Sequence, residues 1–158
     1  MVAPDAPVGS PVRASRSRPL VAAVRNGERV EEATVLGCEV AFRLAAVLGV
    51  RPETLSVLAA ALAGSTEPAG ALRALGLAAT QSTTVDGNPG EEKEITVLRT
   101  ALAAADGAEA ALLGERGFTA PGQPVEGRRG LLALLAPGAD PQELVRDLGT
   151  RWHAEAVV

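Results

Sequence analysis

The sequence predicts an all-α fold, a layered helical array, on three observations. Apolar residues return every three or four positions through several stretches. No stretch sustains the strict alternation of a half-buried strand. Glycine, proline and Asn-Gly or Asp-Gly steps separate the periodic stretches, as helix stops and turns do. A chain of 158 residues suits one core of ordinary size, so a single domain is expected.

Residues 1–19 hold Pro4, Pro7, Pro11 and Pro19 among small residues, a composition that reads as a disordered tail. A short helical turn is expected from Leu20 to the stop at Asn26-Gly27. From Glu31 to Gly49, Ala33, Gly37, Val40, Ala41, Leu44, Val47 and Leu48 keep the helical period. Gly37, Ala41 and Ala45 lie four apart, a face on which another helix can approach closely. Glu39 and Arg43 are expected on the polar side as an i,i+4 pair, worth only a few tenths of a kcal/mol.

Pro52 in a first turn starts a second helix, expected to run to Ala63 before Gly64-Ser65-Thr66 breaks it. Ser65 or Thr66 is expected to cap a third, through Leu72, Leu75 and Ala79 to about Ser82. Asp86-Gly87-Asn88-Pro89-Gly90 makes a turn. Ile95, Leu98, Leu102, Ala105 and Leu112 then mark a long fourth helix ending near Arg116. Phe118 to Gly127 is a loop, Arg128 to Ala136 a short helix. Asp140-Pro141 opens a last helix expected to reach Trp152, with 153–158 as a C-terminal tail.

Composition narrows the functions. Fifteen basic residues against nineteen acidic ones give a net charge of −4, which opposes binding to nucleic acid. With two Phe, one Trp and no Tyr, aromatic stacking is no main binding device. No run approaches the about 18 apolar residues of a membrane span. One cysteine, Cys38, makes no internal disulfide, and the N-terminus lacks the apolar segment of a secretion signal, so a cytoplasmic protein is expected.

Reactive side chains are scarce. His153 is the single histidine, expected to be solvated, and Cys38 falls inside the best helix, where a thiol behaves as a small apolar residue. The run Glu91-Glu92-Lys93-Glu94 reads as the charged first turn of the fourth helix rather than a metal site. Asp86, Asp106, Glu109 and Glu126 are read as caps or solvated groups. No metal and no cofactor are expected.

Five short stretches in order resemble one known family. Gly37-Cys38-Glu39-Val40-Ala41-Phe42-Arg43-Leu44 is similar to the Gly-Tyr-Glu-Val-Ala-x-Arg-Leu helix of the MmgE/PrpD family. Ala74 to Ser82 resembles its Ala-Leu-Gly-Ile-Ala-x-Ser-Gln segment, and Asp86-Gly87-Asn88 its Asp-Gly-Ser turn. Gly117-Phe118-Thr119-Ala120-Pro121 resembles its Gly-Phe-Thr-Gly-Pro loop, and Val125 to Gly130 its Leu-Glu-Gly-x-x-Gly. The resemblance covers Leu20 to Trp152 and implies a truncated, diverged member. Its fold would be part of the family's helical domain, without the α/β second domain.

The family includes 2-methylcitrate dehydratase and cis-aconitate decarboxylase, and the departures from it fall on its chemical positions. Gly49-Val50-Arg51-Pro52-Glu53-Thr54 puts Arg51 where the family's Gly-Phe-His-Pro-Thr has histidine. Thr96-Val97-Leu98-Arg99 puts Thr96 and Arg99 where Lys-x-Leu-His has lysine and histidine, with Lys93 three residues out of register. Arginine, with a pKa above about 12, is no proton shuttle, but it holds a carboxylate bidentately.

The resemblance therefore implies an accessory or carboxylate-binding subunit that has lost the parent activity and works with a second copy or a full-length relative. A second reading is a remodelled lyase, isomerase or cyclase for an organic acid. In it Asp86 and Glu53 are acid–base groups and Arg51, Arg99 and Lys93 anchor the substrate. A third is a helical dimerisation module using the Gly37, Ala41, Ala45 face.

Overall fold

Helical propensity and glycine or proline punctuation together divide the chain into the elements seen in the computed structural model. It describes residues 30–82 and 92–153, without the side chains of 30–33, 92–94 and 96. The elements are α1 (Val30–Leu48), a 3₁₀ turn (Pro52–Leu55), α2 (Ser56–Ala63), α3 (Pro68–Ala79), α4 (Glu92–Glu115), α5 (Leu131–Leu135) and a second 3₁₀ turn (Pro141–Leu144). No strand occurs among the described residues, so the chain is all-α. The expected tail 1–19, the turn at Leu20 to Gly27, the Asp86 turn and residues 154–158 lie outside the described residues.

α2 is the centre. Its sequence, SVLAAALA, is apolar after the first serine, and it lies between α1 and α4, with α3 packed chiefly on α4. Leu58 and Leu62 of α2 are fully buried with Leu44 of α1, Leu55 and Leu75. Val125, Leu131, Leu132 and Leu144 complete the core. α1 ends as expected: Gly49 takes φ 67°, and the Val50 N–H reaches back to the Ala45 carbonyl at 3.1 Å.

Small residues set the closeness of these layers. A β-carbon at Gly37 would stand 2.5 Å from the Ala59 carbonyl oxygen, so the face expected to admit another helix admits α2 of the same chain. That contact removes the basis for a dimer through Gly37, Ala41 and Ala45.

On α4 the helical period is right but the buried face is the other one. Gly107, Ala110, Ala111 and Gly114 pack inward, while Ile95, Leu98, Leu102 and Leu112 are exposed. Glycines at 107 and 114 let α4 approach α2 and α3 to backbone contact, which larger side chains would prevent.

Ser65 and Thr66 do not cap α3. Its N-cap is Glu67, without a side-chain cap, and the Thr66 and Glu67 N–H groups instead donate to Glu115 Oε1 at 2.9 and 3.1 Å. Partial desolvation raises the Glu115 pKa, but these hydrogen bonds and the nearby Arg73 charge outweigh it, and the net shift is downward from 4.5. A carboxyl lowered on folding stabilises the fold above its unfolded pKa and loses that contribution as pH falls through its folded value. Glu115→Gln should therefore melt below the wild type at about pH 7, and the difference should shrink below about pH 4.5 and vanish at lower pH. A constant difference across a pH series of thermal melts would contradict this.

The C-terminal region departs most from expectation. Helix α5 starts at Leu131, not Arg128, because the Leu131 and Leu132 N–H groups are taken by the Pro124 and Val125 carbonyls. Asp140 caps as expected, accepting from the Gln142 N–H at 2.9 Å, but only one 3₁₀ turn follows. Asp147 (φ 53°) and Gly149 (φ 85°) then turn the chain left-handed.

These turns aim carbonyls at Arg43, which is 1% exposed rather than on a polar face. Its Nε donates to Glu39 Oε1 at 2.6 Å and its Nη1 to the Arg146 and Leu144 carbonyls at 2.8 and 3.4 Å. Nη2 donates to the Arg151 carbonyl. Glu39 Oε2 accepts the His153 N–H at 2.7 Å, and His153 Nδ1 lies 3.4 Å from Oε1. His153 is thus half-buried rather than solvated.

Candidate functional site

Pro52 fixes the entry to the first 3₁₀ turn, so Arg51 is its N-cap and is exposed, and Glu53 follows in its first turn. From α4, Arg99 comes across to line the same cavity as Glu53, of about 150 Å³. Asp106, Thr54, Val57 and Gln81 share that lining, whereas Arg51 does not. Asp86 and the side chain of Lys93 lie outside the described residues, as does the side chain of Thr96.

The arrangement joins two candidates from sequence, Glu53 and Arg99, and adds Asp106, which is half-buried rather than a solvated group. Two carboxylates against one guanidinium make this small cavity acidic on balance, so Arg99 is the single group in its lining suited to hold a further anion. Beside it, sharing Glu53, a mainly apolar cleft of about 340 Å³ opens between α1, α2 and α4, with half-buried Cys38 and Phe42 in its wall.

The larger cavity, about 660 Å³, lies elsewhere, between the C-terminal half of α3 and the segment 121–135. Gly76 permits the closure there: a β-carbon would stand 2.7 Å from the Pro121 carbonyl oxygen. Pro121 and Pro124 stiffen the opposite wall. The turn between them and α5 is fastened by the Gly127 N–H on Gln123 O at 3.2 Å and the Gly130 N–H on Gly127 O at 2.8 Å.

Leu131, Leu134 and Leu135 form an apolar wall; Arg128 and Arg129 are exposed and also line the cavity. No carboxylate is among its lining residues. Volume and a mainly apolar lining with a few polar side chains are the ordinary attributes of a small-molecule site.

Sequence reasoning did not single out Arg128 and Arg129. A signal was present, since three of the five family-like stretches, Ala74 to Ser82, Gly117 to Pro121 and Val125 to Gly130, each supply residues to this cavity. The first stretch, Gly37 to Leu44, serves packing instead, through the Gly37 contact and the buried Glu39 and Arg43. Among the described residues no group of three His, Cys, Asp or Glu side chains could hold a metal ion. None of their helices is long and apolar enough to cross a membrane.

Comparisons with curated proteins and with solved structures give no match. The profile of the MmgE/PrpD N-terminal domain matches residues 13–144, most of the chain and all of its described helices from α1 to α5. With the all-α architecture and the ordered stretches that carry the resemblance, this match establishes that the chain belongs to the MmgE/PrpD family.

Proposed function

We propose that the protein is a carboxylate-binding, accessory member of its family without the parent dehydratase or decarboxylase chemistry. The observation that carries the binding is the 660 Å³ cavity, which Arg128 and Arg129 line together with an apolar wall and which has no carboxylate among its lining residues. An alkyl or small branched carboxylate suits it: the anion on Arg128 and Arg129, the carbon chain against Leu131, Leu134 and Leu135. The absence of parent chemistry is supported by Arg51 and Arg99 at positions where the family places histidine, since arginine does not exchange protons near neutral pH.

Calorimetry with hexanoate, set against 1-hexanol, tests this reading. Hexanoate should bind and hexanol should not. Arg128→Ala/Arg129→Ala should weaken hexanoate by at least about tenfold, as charge-assisted hydrogen bonds of about 1.5–3 kcal/mol imply. Equal binding of acid and alcohol, or by variant and wild type, would overturn it.

A second reading rests on the cavity shared by Glu53 and Arg99. There the protein is a lyase, isomerase or cyclase for an organic acid, with Glu53 as an acid–base group and Arg99 as the substrate anchor. It requires turnover of an organic acid, followed by proton NMR, that Glu53→Gln abolishes and Arg128→Ala/Arg129→Ala leaves intact.

A further inference from the structure

We propose that the cleft between α1, α2 and α4 binds a primary ammonium carried on a short apolar chain. The site is separate from the Arg128 and Arg129 cavity, and the proposal rests on neither reading of the function.

The cleft follows from the small residues of α2. Helices α1 and α4 both pack on it, and the side chains it offers to the space between them include the methyl groups of half-buried Ala59, Ala60 and Ala63. Methyl groups are too short to fill that space, so about 340 Å³ stays open, within the ordinary range for small-molecule pockets. Phe42 and Cys38 of α1 and Ala104 of α4 make its walls. An alkyl chain placed there leaves water for a mainly apolar surface.

The polar side chains select the charge of the ligand. Among the described residues of the lining Glu53 is the one charged side chain, so the cleft is negative and presents no arginine, lysine or histidine to an anion. Arg99 lines the neighbouring small cavity with Asp106 instead. Ser56, also in the lining, donates its hydroxyl proton to the Glu53 carbonyl at 2.7 Å, which leaves its oxygen only lone pairs to offer. A ligand N–H can use them; a carboxylate cannot. The face of an aromatic ring carries negative charge, so Phe42 too favours a cation over an anion. A primary ammonium brings three donors, enough for Glu53 and Ser56 together, whereas a neutral alcohol of the same length gains the apolar burial alone. Because Glu53 is exposed, its ion pair is screened and contributes a few-fold in affinity, with the apolar walls supplying the rest.

Amide NMR shifts of the nitrogen-15-labelled protein, titrated with hexylammonium chloride at about pH 7, test the site. Saturation with a dissociation constant of about 1 mM is expected, with the shifts centred on Cys38, Ser56, Ala60 and Ala104. 1-Hexanol should bind at least about threefold more weakly, and Glu53→Gln should weaken hexylammonium by a similar factor. Glu143→Gln removes an exposed carboxylate elsewhere and should change nothing, which separates the site from general attraction to a chain of net charge −4. Ala104→Leu, at an exposed position of α4, fills the cleft without altering charge and should abolish saturation while the rest of the spectrum is kept. Arg128→Ala/Arg129→Ala should bind hexylammonium as the wild type does, so failure of the carboxylate site and failure of this one are read separately. No saturation, equal binding of amine and alcohol, indifference to Glu53→Gln or Ala104→Leu, or shifts centred on residues 121–135 would each overturn the proposal.

Discussion

Arg43→Met should lower stability by about 3–5 kcal/mol, the cost typical of removing one partner from a buried ion pair. In a domain of this size that corresponds to a fall in melting temperature of about 6–20 °C. Methionine fills much the same volume, so little of the loss comes from a cavity. It comes from what is left behind: the Glu39 carboxylate, 3% exposed, keeps its His153 N–H but loses its guanidinium. The carbonyls of Leu144, Arg146 and Arg151 lose their donor at the same time.

Because one side chain gathers these groups, the effect should be non-additive. Glu39→Gln should destabilise the wild type more than it destabilises the Arg43→Met protein, since in the latter it removes a buried charge that has already lost its guanidinium. Urea unfolding of the four proteins measures the coupling. Limited proteolysis of Arg43→Met should cut first within 144–153, the segment the guanidinium holds to α1. A stability change below about 1 kcal/mol would mean that the segment is held by Leu144 packing and the turn hydrogen bonds alone.

The same residue shows where sequence reading stops. A Glu and an Arg four apart are the ordinary mark of a solvated helix face, and nothing local distinguishes the buried case. Arg43 is buried because a segment about a hundred positions later turns its carbonyls onto it, using left-handed Asp147 and Gly149. By contrast, the extents of α1 and α4 were legible almost to the residue, since apolar period and stop signals are local. Which side of α4 is buried was not. Large apolar residues dominate any reading of periodicity, whereas Gly107 and Gly114 act by what they lack.

The candidate sites divide the same way. Arg99 and Glu53 lie 46 positions apart in sequence, and the family resemblance marked their neighbourhoods before the fold brought both to one cavity. Arg128 and Arg129 carry no pattern of their own, and the cavity they line becomes visible only when Gly76 lets the proline loop close on α3.

Gly107→Leu should cost about 3 kcal/mol, the upper part of the range for overpacking a tight contact. Its size is set by the surroundings of the missing β-carbon, which would meet the Ala60 β-carbon at 2.4 Å, the Val57 carbonyl oxygen at 2.8 Å and the Ala61 nitrogen at 2.9 Å. Two of these are backbone atoms of α2, the helix that α1, α3 and α4 all contact, so the neighbour cannot simply rotate away. Gly107→Ala sharpens the argument because two effects oppose each other. Alanine favours a helix interior by about 1 kcal/mol over glycine, yet its β-carbon occupies that same contact. Contact should win, so the alanine variant melts lower than the wild type. Ala108→Leu, one position along on the exposed side, changes helix propensity and bulk without the contact and should leave the melting temperature nearly unchanged. If Gly107→Ala instead raised the melting temperature, α2 and α4 would have room to separate, and the small-residue face would no longer explain why α4 turns its leucines outward.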